Sequence, residues 1–313
     1  MYENMEMRKV YSAEMEKLMA ENDKIVYFDA DLAKGIGTLN LNAKFPERAI
    51  NVGIAEQNMT AIAAGMSSYG FIPFITSFTP FVTRRACDQI AISCLYAQQN
   101  VKIVGSDPGI AAQTNGGTHM SMEDIGVMRS IPNMVIFEPC DATELVKALP
   151  KIIEYQGTMY IRLWRKELPA VYADNYNFEL FKASTIKKGK DVTLYASGFM
   201  VSQAVQAAEI LEKENISAEI LNVHTIKPID EDSVVASAEK TGAAVTCDNH
   251  NFIGGLGSAV MEALAHNYPV PVESIGVKDR FGQVGDVKFL AEEYQLMPQD
   301  IVHAAKKAIA RKG

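Results

Sequence analysis

Short runs of β-branched and aromatic residues alternate with longer stretches of helical period along nearly the whole chain. IVYFDA (25–30), RAINV (48–52), FIPFITS (71–77), VKIVGS (101–106), MVIFEP (134–139) and MYIRLW (159–164) read as strands of the first half. Helical segments fall at the N-terminus, after Glu56, over 80–99, over 121–130 and from Asp141. Strands separated by helices of about 10–15 residues predict parallel βαβ units and a sheet covered on both faces. In such folds ligands sit beyond the carboxyl ends of the strands. That directs attention to 29–38, 77–81, 105–119 and 164–169.

The alternation fades over 166–190, where charge and turn residues replace the period, and then restarts. DVTLYASG (191–198), AEILNV (218–223), GAAVTCD (242–248) and PVESIGV (271–277) read as strands, with helices between them and two more at the C-terminus. The expectation is an α/β protein of two doubly wound domains, 1–168 and a smaller 191–313, joined by a linker over 169–190.

Composition narrows the function classes. A length of 313 residues suits two domains, and 48% apolar with 22% charged residues is ordinary for a globular protein. The formal net charge of −8, without a basic run, argues against a nucleic-acid surface. No apolar stretch approaches a membrane span, and the polar, charged N-terminus does not read as a secretory signal. Cys87, Cys94, Cys140 and Cys247 have no metal-ligand spacing, and Cys87 and Cys94 fit one helix face better than a disulfide. A reduced, cytoplasmic protein is expected, with no membrane or nucleic-acid partner.

Four segments carry candidate chemistry. Glu56 opens an otherwise apolar helical segment whose stripe is Ile54, Met59, Ile62, Ala63 and Met66. A carboxylate there is costly unless something meets it, although the helix N-terminus by itself favours negative charge. SFTPF (77–81) sets Phe78 and Phe81 at a strand-to-helix corner, as core packing or as a platform for a flat ring. TNGGTHMSMED (114–124) puts His119 at the end of a Gly-rich loop. FIGGLGSAV (252–260) lacks the full dinucleotide-binding spacing and reads as a tight turn with close packing, and His250 before it stays open between a functional role and the commoner structural one.

In this order these segments resemble the C-terminal half of transketolases, in particular the shorter subunit of split, two-gene transketolases. DADLAKGIGT (29–38), GIAEQNM (53–59), SFTPF, GGTHMSMEDIGVMRSIPNMVIFEP (116–139), HTIKPID (224–230) and NFIGGLGSAV carry the resemblance, which covers nearly the whole chain. It implies a thiamine diphosphate enzyme moving a two-carbon ketol unit from a ketose to an aldose. Glu56 would bond the cofactor's aminopyrimidine and favour its imino tautomer, the base that takes the thiazolium proton. Phe78 and Phe81 would hold the pyrimidine, Asp31 would shape its pocket, and His119 would steady substrate oxygens. Arg165 matches an arginine for the sugar's terminal phosphate.

The family's diphosphate and metal motif is absent from this chain. The resemblance therefore implies an N-terminal partner subunit that brings Mg2+ or another divalent cation, an α2β2 assembly, and an inactive chain when alone. Three departures bear on the sugar substrate: Gly35 where a serine is common, Asp107 near a usual His or Arg, and Asn115 in place of an Asp. An anion beside Asp107 would be disfavoured. Arg162, Arg84, Arg85 and Lys34 are candidate compensating cations, and the donor is expected to be a phosphorylated ketose, not necessarily one of the usual pentose phosphates. The alternatives are the β subunit of a 2-oxo acid dehydrogenase, a deoxyxylulose phosphate synthase (a single long chain that carries the diphosphate motif), and a non-catalytic thiamine-binding paralogue.

Overall fold

A computed structural model describes residues 5–312. Twelve strands follow one another along the described chain: β1 Ile25–Asp29, β2 Ala49–Asn51, β3 Ile72–Phe78, β4 Lys102–Ser106, β5 Val135–Phe137, β6 Met159–Leu163, β7 Ser184–Lys187, β8 Val192–Ala196, β9 Ala218–Asn222, β10 Thr225–Lys227, β11 Ala244–Asn251 and β12 Val272–Val277. They form two sheets, ordered β10-β5-β6-β4-β3-β1-β2 and β12-β11-β8-β9-β7. The fold is α/β, and pairing inside each sheet is parallel except at one edge. β1, β3, β4, β6, β8 and β9 are buried along their whole length. Their near-continuous apolar runs follow from helices covering both faces.

In the first sheet the chain passes from β1 outward to β2 and then back across β1 to β3. The carboxyl ends of β1 and β3 therefore flank a switch point, where the crossover helices diverge and leave a crevice. All ten strands anticipated from the sequence are present, with ends shifted by three residues or fewer.

Two strands differ from the expectation, and both are antiparallel edges. β7 lies within the stretch read as linker and pairs with β9. β10 leaves the second sheet's neighbourhood and pairs with β5, so the second half of the chain supplies the last strand of the first sheet. Lys227 fixes this crossing by donating to the carbonyls of Arg129 (2.7 Å) and Ile131 (2.6 Å). The single helix expected over 80–99 is broken into Thr79–Val82 and Cys87–Gln89, the latter running on into a π-helical Ile90–Tyr96. Thr83 leaves the helical region (φ −111°, ψ −86°) while its hydroxyl donates to the Thr79 carbonyl at 2.6 Å. Cys87 and Cys94 are free thiols. Among the described residues no helix is long and apolar enough to cross a membrane.

Candidate active site

The carboxyl ends of β1, β3, β4 and β6 bring most of the sequence candidates to one edge. β3 ends in Phe78, and Pro80 in the first turn of the helix Thr79–Val82 turns the chain so that Phe81 follows one helical step later. The two rings lie 6.1 Å apart at 52°. His119 closes a triangle with them, edge-on at 5.8 Å from Phe78 and 5.3 Å from Phe81. Phe78 is buried, whereas Phe81 and His119 are partly open. The His119 Nδ1 meets the Thr118 hydroxyl at 2.9 Å. A box of aromatic edges open on one side suits a flat heteroaromatic ring.

Glu56 is the first residue of the helix Glu56–Ser68 and is only 3% exposed. It does not spend its carboxylate on the helix N-terminus. Oε1 accepts from Arg85 Nη1 at 2.8 Å, and the same guanidinium lies 4.0 Å from the centre of the Phe81 ring. Arg85 thus joins the carboxylate to the aromatic box, whereas the sequence offers it only as a substrate cation. Arg84 turns away and pairs with Glu123. Met59 and Ala63 are buried as expected, but Ile54 is 76% exposed because it precedes the helix and helical period does not govern it.

Asp31 stands exposed after β1 with φ +62°, and exchanges hydrogen bonds with Asn51, its N–H to Oδ1 at 3.1 Å and Asn51 Nδ2 to Asp31 Oδ1 at 3.3 Å. The buried carboxylate of that loop is Asp29, which accepts from the Leu32 and Ala33 N–H groups. Gly35 in the same loop faces Phe78, its missing Cβ 3.6 Å from the ring. Lys34 and Asn115 are exposed.

Arg165 follows β6 and pairs with Asp107, which follows β4, at 3.6 Å. Burial pushes the Asp107 carboxyl up to about 6, against the opposing pull of Arg165. Arg8, from the N-terminal helix, reaches the same corner. It donates to the Gly35 carbonyl at 2.7 Å and to Glu6, and its own N–H donates to the Arg165 carbonyl at 3.3 Å. Lys166 completes the group on Glu6, whose carboxyl it lowers to about 2. Sequence reasoning missed Arg8, since one arginine on a charged helix carries no signal of what its first turn docks against.

Arg162 is a correction. The sequence makes it a candidate anion ligand, yet it is fully buried and spent on Asp124 (2.8 and 3.2 Å), Glu138 (2.7 Å) and the Asn249 carbonyl (2.7 Å). Around it the second half of the chain grips the His119 loop. Asn249 bonds Pro108 and Ile110 at 3.1 Å each, and the Asn251 N–H donates to Met122 at 2.6 Å. Gly126 N–H donates to His250 Nε2 at 3.3 Å, leaving Nδ1 to donate to the Asn251 carbonyl at 2.7 Å. Both ring nitrogens of His250 are thus engaged within the fold. Gly109 (φ +53°) must be glycine, since a Cβ would stand 2.3 Å from Asn249 Oδ1. Among the described residues no three His, Cys, Asp or Glu side chains converge as a metal site would require.

This arrangement has known counterparts. Residues 3–171 match the family described as "Transketolase, pyrimidine binding domain", and residues 182–301 match "Transketolase, C-terminal domain". The chain is 50% identical over 292 residues to the 6-deoxy-6-sulfo-D-fructose transketolase subunit of Clostridium sp. (strain MSTE9), covering 93% of this chain and 91% of that one. It is 35% identical over 306 residues to an apulose-4-phosphate transketolase subunit of Phocaeicola vulgatus, covering 97% of each. A solved split gene transketolase, described as an inactive beta4 tetramer, superposes with a TM-score of 0.91 at 42% identity, covering 99% of this chain and all of that one. These relatives do not favour a 2-oxo acid dehydrogenase subunit or a non-catalytic paralogue. The chain therefore belongs to the transketolase family, as the C-terminal, pyrimidine-binding subunit of a split transferase that depends on thiamine diphosphate.

Proposed function

We propose that this chain forms the pyrimidine side of a shared active site in an α2β2 complex. An N-terminal subunit would hold the diphosphate and Mg2+ or another divalent cation. The complex would work in the cytoplasm and move a two-carbon ketol unit from a ketose with an anionic end to an aldose. Residues 1–168 and 191–313 would serve as the two domains, with 169–190 between them. The donor we favour is a 6-deoxy-6-sulfo-fructose type sugar, named for the Clostridium relative.

The observation that carries this reading is the convergence of a buried carboxylate, Glu56, on the open box of Phe78, Phe81 and His119. That donor set fits a flat ring needing stacking and one strong acceptor. When bound, thiamine diphosphate supplies the carbon nucleophile and electron sink. The chain's own residues do the rest. Glu56 would hold a proton at the ring nitrogen facing it, with Asp31 lending polarity at the mouth. Phe78 and Phe81 would fix the ring plane. His119 would donate to developing oxygen charge, Asn115 would meet a substrate hydroxyl, and Arg165 with Arg8 would meet the terminal anion. The exposed Ile54, two residues before Glu56, is the kind of apolar contact a partner subunit would cover.

Reconstitution tests the proposal. The chain alone should show no ketol transfer, and adding the N-terminal subunit should restore it. Glu56→Gln should then lower kcat by about 10²–10⁴-fold in an intact complex. Turnover by the isolated chain, or a fully active Glu56→Gln complex, would refute it.

A further inference from the structure

We infer that Asp107 is a specificity-determining residue that tunes the anion end of the substrate cleft to a singly charged tetrahedral group, a sulfonate, over a doubly charged phosphate. The inference rests on the proposed ketol-transfer reading and deepens it. Asp107 follows β4 in the left-handed region (φ +60°), with its side chain 1% exposed. Its Oδ2 lies 3.6 Å from Arg165 Nη1, close enough for charge attraction but beyond a good hydrogen bond. Its Oδ1 is buried without a protein partner, and so is Arg165 Nε. Two unfilled polar atoms of opposite sign at one strand-end corner mark a place where a ligand or water completes the hydrogen bonding.

The charges at this corner decide which ligand fits. Arg8, Lys9 and Lys166 pair with Glu6, while Arg165 pairs with the buried Asp107. An anion that reaches Arg165 therefore also meets the Asp107 charge. Burial lifts the Asp107 carboxyl only to about 6, so it is mostly ionised at neutral pH. A sulfonate carries one charge at every working pH, whereas a phosphate monoester carries about 1.5–2 near pH 7. The second phosphate charge would sit against Asp107 in a partly desolvated corner, where like charges repel strongly. A sulfonate, with one charge, is repelled by Asp107 only about half as much while it pairs with Arg165.

The experiment compares the specificity constants of the reconstituted complex for ketohexose donors carrying sulfonate or phosphate at carbon 6. The wild-type complex should prefer the sulfonated donor. Asp107→Asn keeps the side-chain shape and removes the charge, so it should shift the phosphate-to-sulfonate ratio upward by about tenfold or more, chiefly through a lower KM for the phosphorylated donor. A ratio that moves less than threefold, or an equal loss for both donors, reduces Asp107 to a support for Arg165 and overturns the inference. Competition in the wild-type complex gives a check that needs no variant: an alkyl sulfonate should inhibit more strongly than the matching alkyl phosphate, and the reverse order also overturns it. A complex that transfers a two-carbon unit from neither donor refutes the functional reading itself.

Discussion

Arg162→Met should show that this arginine holds the molecule together and does not bind substrate. The guanidinium is wholly buried and makes four hydrogen bonds, two to Asp124, one to Glu138 and one to the Asn249 carbonyl. Burial works against its charge, but Asp124 and Glu138 hold its pKa above the ordinary arginine value. Tyr160 donates to Asp124 and Ser197 to Glu138, each at 2.7 Å, so both carboxylates are committed. Removing one member of a buried ion cluster costs about 3–5 kcal/mol, because the remaining charges stay desolvated. Glu138 offers partial relief, since burial already raises its carboxyl and it can take a proton. We therefore expect a loss of about 4 kcal/mol, or roughly 8–16 °C in Tm at about 2–4 °C per kcal/mol. Calorimetry on the purified subunit measures it. Adding Glu138→Gln to Arg162→Met should recover part of the loss, since one stranded charge disappears. A Tm within about 2 °C of wild type, or a raised donor KM at unchanged Tm, would refute the reasoning.

Two further outcomes follow from the geometry. Arg85 holds both contacts that Glu56 and Phe81 would offer a cofactor ring, so Arg85→Ala should tighten thiamine diphosphate binding by the assembled complex, read as a lower Kd by calorimetry; weaker binding would mean the arginine stays in the loaded site. His224 is buried among Phe137 and Phe178, and burial lowers its pKa from 6.5 to about 4. The folded state therefore takes up its proton later than the unfolded chain as pH falls, and stability drops between pH 6.5 and about 4. The loss should be on the order of 2 kcal/mol between about pH 7 and 4.5 in urea titrations, and His224→Phe should flatten it.

Eight of the ten anticipated strands were legible as buried apolar runs that stand out from their flanks, whereas β2 and β12, mostly not buried, were legible from their place in the alternation of strands and helices. β7 and β10 were not, since short antiparallel edges keep polar positions and look like loop. Glu56, Phe78, Phe81 and His119 announced themselves by standing at strand ends or in an apolar helix. Arg85 and Arg162 did not, for a common reason. The meaning of an arginine lies in its partners, and those partners are remote in sequence. Glu56 reaches Arg85 only because the helix breaks at Thr83. Asp124 and Glu138 meet Arg162 only after β5 and β6 have paired.

The same logic explains what the second half of the chain contributes. Its groups at 249–251 bond the backbone of the 107–126 loop at Pro108, Ile110, Met122 and Gly126, on both sides of His119. A Gly-rich segment gains little order from its own side chains, because glycine loses the most backbone freedom on folding. Fixing it from outside at several carbonyls and N–H groups keeps the imidazole within reach of the two Phe rings at little cost to the loop's own packing. The turn that presents those groups is itself built on Asp248, whose Oδ2 accepts from the Leu256 N–H at 2.7 Å where Gly255 leaves room for it. The glycine-rich motif that resembles a cofactor loop thus acts at one remove, by holding still the histidine that would face the substrate.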